Sequence, residues 1–494
     1  GNTAWKAVIS LPNSQRADQP APKRLNIETR LNGLAINLPW PLSKDREQTI
    51  PLSITVESEP DGRRRTRVVL GDRLRAALSQ LGNPNAGAAL LGADIVFNEE
   101  NEAPDSDIEG IRLRGKLRKL NAAAWQQVIK ETLSSTSRQS PELPVSIDLT
   151  VDEADFFYMV FTSLDLSAQK RDDGWIVRVE GPDISGEITA PENRSLPLNL
   201  KFSRLVLPKR QSSQKAESYN PQKIRPFRLE SLSTKYGDID LGKFTVDIAK
   251  VDNGISVTEA ASEQGAFELR AQGNWLMSDD RHNSQFDVKV RGDSLAGLLG
   301  GFGYDIVNIE GGATDLELNA HWDGTPLEFG LDKLRGHLSL SVDSGRFLDI
   351  EPGGGRLFGL LSLQTLPRRL SLDFNDLFSK GFTFDTIVGN FSIDHGNAYT
   401  NSLLMDGPSA RIQISGRTGL KDQDYDQRVT VTPALSNSIP VASALFGPAG
   451  VGVGAVIYLG QKMFKTIPEQ MDKFLKREYS ITGAWAAPVI ERIL

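Results

Sequence analysis

The sequence predicts a mainly β protein, and three observations carry that expectation. Apolar residues alternate with polar ones at period two over many short runs, which separates the two faces of each strand. Gly, Asn, Asp and Pro punctuate the runs, as turns between antiparallel strands require. Helical spacing is confined to a few segments. Repeated strands without a closing motif predict one elongated, twisted antiparallel sheet.

In chain order, the alternating sets begin with Leu25, Ile27, Thr29, Leu31, then Ile50, Leu52, Ile54, Val56, then Val145, Ile147, Leu149, Val151. They continue with Phe244, Val246, Ile248; Phe286, Val288, Val290; Leu316, Leu318, Ala320, Trp322; and Leu338, Leu340, Val342. Ile412, Ile414 and Val429, Val431 close the series. Two tight turns are expected at 251–255 and 394–397. Asn121 is placed to cap a helix with Trp125, Val128, Ile129 and Leu133 on one face, reaching to about 136. A short apolar helix is expected over 355–366, stopped by Pro367. Residues 72–81 fit a helix and a strand equally, and the polar run 209–223 reads as a loop or boundary. The expected organisation is a β segment over 1–208, that boundary, a second β segment over 224–432, C-terminal helices over 433–478 and a closing strand over 479–494. A strand, then a small residue, then often Trp recurs at 267–275, 316–322, 412–416 and 479–485. The spacing is irregular, so this is no strict solenoid.

Composition excludes several classes. The 494 residues carry 56 Lys+Arg against 63 Asp+Glu, a net charge of -7, with the basic residues scattered. No clustered cationic footprint for nucleic acid is present. There is no cysteine, so disulfides, thiolate metal sites and cysteine nucleophiles are ruled out. The chain opens on Gly1 and residues 1–10 hold no apolar signal core. It is expected to be part of something longer, whose export signal or anchor lies elsewhere.

A search for chemistry is nearly empty. The four histidines, His282, His321, His337 and His395, have no partner at metal-ligand spacing and read as surface or turn residues. Gly292-Asp293-Ser294-Leu295-Ala296 approaches the GxSxG elbow, but Ala296 replaces the last Gly and no strand-to-helix context is expected there. The run Gly450-Val451-Gly452-Val453-Gly454-Ala455 fits the relaxed dinucleotide fingerprint, yet lies in a charge-free apolar stretch rather than a βαβ unit. The acidic pairs 172–173 and 279–280 fall in polar turns. No catalytic residue, metal site or cofactor is expected, and the clustered acidic or Ser/His groups that a hydrolase needs are missing.

The C-terminal region differs in kind. No charged residue occurs from Val429 to Gln461. Residues 441–459 would span about 28 Å as a helix at ~1.5 Å per residue, near the ~30 Å of a bilayer core. Four glycines and Pro448 make it a poor lone span. Residues 461–478 then place Met463, Phe464, Ile467, Met471, Phe474 and Leu475 at helical spacing among Lys462, Lys465, Lys473, Lys476 and Arg477. That is the pattern of an interfacial helix. Val441, Leu445, Phe446, Val456, Ile457, Tyr458, Met463, Phe464, Met471 and Phe474 are the expected membrane contacts. The alternative is a pair of helices plugging an open end of the sheet, and the sequence leaves both open.

Residues 355–374 (GRLFGLLSLQTLPRRLSLDF), 376–382 (DLFSKGF) and 406–417 (DGPSARIQISGR) resemble the C-terminal region of the YhdP branch of the AsmA-like proteins. So do 425–433 (YDQRVTVTP), 479–485 (YSITGAW) and 488–492 (PVIER), and more thinly 110–117 with Trp125 and 178–186. The resemblance is dense from about Gly292 onward. A turn at Asp323 and the glycine-rich stretch 300–303 depart from it. It implies a sheet curled around an apolar groove and anchored in the inner membrane of a Gram-negative bacterium through an N-terminal helix absent from this chain. It also implies transfer of phospholipid across the periplasm towards the outer membrane, with the C-terminal end at that membrane. On this reading Leu316, Leu318, Leu338, Leu340, Val342, Phe382, Phe384, Phe391, Ile393, Ile412 and Ile414 line the groove and meet acyl chains. Periodicity alone suits an ordinary sandwich core better; the resemblance reverses that preference. A scaffold or assembly role in the envelope, without lipid conduction, is the rival.

Overall fold

A computed structural model describes residues 3–11, 22–83, 87–98, 102–122, 124–125, 127–128, 143–156, 159–207, 220–302, 309–348, 381–433 and 476–493. Among them are 26 strands and few helical turns, so the mainly β expectation holds. The chain divides into two compact units, Gly1–Pro208 with Leu229–Ser233, and Lys209–Arg228 with Thr234–Leu494.

The first unit contains β1 (Trp5–Ser10), β2 (Lys23–Thr29), β3 (Leu52–Ser58), β4 (Arg63–Leu70), β5 (Leu74–Asn83) and β6 (Gly87–Phe97). It continues with β7 (Gly110–Asn121), β8 (Val145–Phe156), β9 (Met159–Arg171), β10 (Gly174–Glu180), β11 (Ile184–Pro191) and β12 (Leu198–Leu207). Each strand pairs with the next, from β1 through β12. The undecided segment 72–81 is settled as strand β5. One expectation is corrected: β6–β7 and β7–β8 are parallel. Parallel neighbours need a crossover, and the helix after Asn121 belongs to the second one. Asn121 caps it as expected, its Oδ1 accepting from the Ala124 amide at 2.8 Å.

β13 (Phe227–Tyr236) is shared between the units. The second unit then runs through β14 (Ile239–Val251), β15 (Gly254–Gln264), β16 (Phe267–Ser278), β17 (Arg281–Gly292), β18 (Ile309–Gly311), β19 (Thr314–Asp323) and β20 (Arg335–Phe347). β21 (Phe382–Asp394), β22 (Asn397–Asp406), β23 (Ala410–Gly419), β24 (Asp424–Pro433), β25 (Arg477–Ala484) and β26 (Val489–Arg492) complete it. From β14 the antiparallel ladder is sequential except that β18 and β19 both lie along β20 in one register, as a single strand broken at 312–313. The turns expected at 251–255 and 394–397 are two-residue hairpins. His395 and Gly396 both have positive φ (44° and 85°), as a twist-matched hairpin turn needs.

The sequence reading misses the helix Leu295–Gly301. Its first turn is capped by Ser294, whose hydroxyl accepts from the Gly297 amide at 3.0 Å. The strand-to-helix step denied above at the GxSxG-like run is therefore present, between β17 and this helix. Ser294 is engaged there as a cap, and the surrounding strands are antiparallel. The expected apolar helix over 355–366 lies outside the described residues.

The main core of the second unit runs from Leu295 and Ile309 through Val342, Phe384, Leu403, Ile414 and Val429 to Ile481 and Ile490. It is made by side chains from the strands β18 to β26 and the short helix, with Leu334 and Leu420 added from the turns. Strict alternation would not produce this set. On β22 the buried residues step from Ala398 and Thr400 to Leu403 and Met405, because β22 carries one extra residue against both neighbours. That bulge exchanges the faces and keeps the leucine inside.

Candidate functional surface

Cross-strand registry turns the alternating residues into continuous transverse rows. In the first unit one row crosses all twelve strands: Ala7, Ile27, Ile54, Val68, Ala76, Ile95, Leu113, Ile147, Ala168, Val177, Ile188 and Leu200. Every position is apolar. Eleven inter-strand steps at about 4.8 Å give a stripe of roughly 53 Å measured along the sheet. Most of its members from Ile27 to Ile188 are only half-buried.

The second unit repeats the device. Phe244, Ser262, Leu269, Val290, Leu316, Leu340, Gly389, Leu403, Ile414, Val429 and Tyr479 are successive partners across eleven strands. The one polar side chain before Tyr479, Ser262, donates its hydroxyl to the Leu241 carbonyl at 2.6 Å, so its hydrogen bond is made inside the sheet. A parallel row links Val246, Ala260, Ala271, Val288, Leu318, Leu338 and Phe391.

The other face is polar. Between β17 and β19 the apolar pairs Val288–Leu318 and Val290–Leu316 alternate with Lys289–Glu317 (2.9 Å) and Arg291–Asp315 (2.6 Å). Arg228–Asp247 and Arg178–Glu187 bridge other neighbouring strands. Such exposed pairs contribute little stability each, but they hold this face wet and leave the apolar face as the one that needs cover.

The groove residues expected from the sequence divide in two. Leu338, Val342, Phe382, Phe384, Phe391, Ile393, Ile412 and Ile414 are buried in the second unit's core. Leu316, Leu318 and Leu340 are half-buried and pack against it. Registry joins Leu316 to Leu340, Leu318 to Leu338 and Leu338 to Phe391. Phe384 and Phe391 are seven residues apart, which strict alternation sets on opposite faces. Ser344 and Asp385 drop out of the β20–β21 pairing between them. An added Cβ on Gly312 would meet both Val342 and Phe384, so the side chains on either side of that break converge. The sequence reading names no groove residue in the first unit, although the alternation of Leu25, Ile27, Ile54, Val56, Ile147 and Leu149 marks their strand faces. The expected membrane contacts between Val441 and Phe474 lie outside the described residues.

The tryptophans of the recurrent strand pattern close hairpin ends. The Trp322 indole donates to the Thr325 carbonyl, Trp485 to the Asp424 carbonyl and Trp275 to Nδ1 of His282. No group of three or more metal-ligating side chains occurs among the described residues, and no helix among them is long and apolar enough to cross a membrane.

The family model described as YhdP protein matches residues 1–490. A protein of Escherichia coli K12, named "Intermembrane phospholipid transporter YhdP", is 22% identical over 513 residues, covering 100% of this chain and 39% of that protein. The chain thus spans less than half of that relative's length. No solved structure matches it.

Proposed function

The chain belongs to the YhdP family, and from that premise we propose that it is a stretch of a lipid-conducting sheet, carrying phospholipid by its acyl chains. The observation that supports this most directly is the apolar row of each unit, interrupted before Tyr479 in the second only by the internally hydrogen-bonded Ser262, and backed by an ion-paired outer face. A lipid tail on such a row gains roughly 0.8 kcal/mol per buried CH₂. Hydrophobic contact is non-directional, so a tail can move from one strand to the next without crossing a polar barrier. Leu316, Leu318 and Leu340, half-buried, are the groove positions placed to meet a tail, with the buried set forming the floor beneath and beyond them.

The relative's printed activity is transport between membranes. For this chain the corresponding reading is a periplasmic segment of an inner-membrane-anchored protein, carrying phospholipid towards the outer membrane and supporting its barrier. Transport needs no catalytic group. The membrane contacts expected between Val441 and Phe474 belong to this reading as the place where lipid leaves.

Photo-crosslinkers test the assignment of faces. Lipid analysis of the purified chain should find co-purifying phospholipid. Crosslinkers at Leu318 and Leu340 should capture it, while those at Glu317 and Ser339, on the opposite face, should not. Equal capture from both faces, or none from either, would overturn the reading.

A further inference from the structure

In the first unit the apolar face is walled on one side. Residues 31–51 fold over it: Leu31 and Ile50 are buried against Leu70, and Leu34, Ile36 and Leu42 pack with Leu52 and Leu74. Leu52, Leu70, Leu74 and Phe97 are successive members of the row beside the middle one, so the segment covers that row. It is firmly held. The Arg73 guanidinium donates to the Pro41 and Ser43 carbonyls, and Lys44, 3% exposed, donates to the carbonyls of Leu34 and Asp45. The Trp125 indole donates to the Trp40 carbonyl at 3.1 Å, and Arg118 lies over the Trp40 ring at 5.3 Å.

Two rows stay open beyond the wall. One is the middle row with Ile27, Ile54 and Val68; the other runs Leu25, Val56, Thr66, Leu78. All of these are half-buried. The next row on the same face is Lys23, Ser58, Arg64 and Gln80. Lys23 and Arg64 are exposed, and neither forms an ion pair among the described residues.

We propose that this strip holds one diacyl phospholipid abreast, its two tails over the two open rows and its phosphate at the Lys23–Arg64 rim. The proposal rests on the lipid-carrying reading above and adds stoichiometry and orientation to it. Rows two residues apart are about 6.8 Å apart, while alkyl chains touch at about 4 Å between carbons, so each row seats one tail. Lipids then pass in single file, and a lipid with six tails does not fit abreast. The rim supplies the cations for a phosphate diester, and the wall opposite packs Leu34, Ile36 and Leu42 over the neighbouring row.

The test uses the whole chain, loaded from vesicles of phosphatidylglycerol or with neutral diacylglycerol, and counts lipid per protein. The K23E/R64E variant should load phosphatidylglycerol roughly tenfold less, two exposed charge contacts together giving about 1.4 kcal/mol, with diacylglycerol loading unchanged. A crosslinker at Ser58 should capture headgroup atoms and one at Ile54 acyl carbons. Inorganic phosphate alone should not displace the lipid, because the tails hold it; displacement would reduce the rim to a free-anion site. Unchanged phosphatidylglycerol loading, or equal loss of both lipids in a folded variant, overturns the proposal while leaving lipid carriage standing. If wild-type protein loads neither lipid, the transport reading falls with it. Should K23E/R64E lose its β circular dichroism, K23M/R64M repeats the comparison without charge reversal.

Discussion

Asp94 on β6 is a fully buried carboxylate, with 0% of its surface exposed. Arg112 meets it at 3.0 Å with both forks, Arg114 at 3.1 and 3.2 Å, and the Asp105 amide donates at 2.9 Å. Burial pushes the carboxyl up, and the two guanidiniums and the amide more than reverse this, holding it well below the usual carboxylate range. Asp94→Asn removes the partner of two partly exposed guanidiniums. A fully buried pair broken this way costs about 3–5 kcal/mol, so roughly 2–4 kcal/mol is expected here, read from urea unfolding at pH 7. The sign with pH follows from the depressed folded value. The stabilisation is complete above the unfolded value of about 4 and is lost as pH falls from there through the folded value. The gap between wild type and variant should therefore shrink in acid; a gap that stays constant to pH 3 would remove the ion pair from the account. Nothing in the sequence marks Asp94. It sits in an apolar run, and the arginines that justify it lie 18 and 20 positions on, across a parallel pairing that local pattern does not encode.

At the scale of elements, the legible features were those whose signal is local. Strand faces, the Asn121 cap and both two-residue turns follow from neighbouring residues. The Leu295–Gly301 helix was missed because its composition, LAGLLGG, has weak helix propensity; the cap at Ser294 and burial of Leu295 and Leu298 hold it. The β22 bulge and the β20–β21 break escaped for a related reason, since they appear only once partners are known. The hairpin at 394–397 offers a direct check. Gly396 has φ of 85°, and a Cβ there would lie 2.9 Å from that of Lys421. Gly396→Ala should cost about 1–2 kcal/mol through left-handed strain, lowering the melting temperature of the second unit. Gly265, whose Cβ would meet nothing within 4 Å, is the control that should tolerate Ala; equal losses at both would show that the turn is not specially constrained.

Across the molecule, burial along the rows separates positions expected to govern stability from those expected to govern lipid loading. Leu340 and Leu403 lie in one row two strands apart, yet Leu340 is half-buried and Leu403 is buried in the core. A carboxylate at Leu403 has no solvent to reach, so Leu403→Glu should prevent folding of the second unit. Leu340→Glu should cost about 1–3 kcal/mol and cut lipid loading of a folded protein. Equal behaviour of the two would show that the row has no open section at Leu340.

The C-terminal segment asks a different question of the whole chain. Residues 434–475 are inserted between β24 and β25, which pair with each other, Val431 facing Arg477. Ending the chain at Pro433 would therefore be a poor test, because it would also remove Tyr479, Ile481 and Ile490 from the core. Excision is cleaner: a short turn joining Pro433 to Lys476 should preserve the ladder, since the strand ends are already neighbours. The excised protein should keep its β circular dichroism and its bound phospholipid but no longer float with anionic liposomes or deliver lipid to them. Flotation of the intact protein should weaken with salt, as attraction of Lys462, Lys465 and Lys473 to anionic headgroups requires. Delivery at the full rate after excision would assign the segment to a plug and take membrane contact away from it. Loss of bound lipid on excision would instead place the segment on the groove itself.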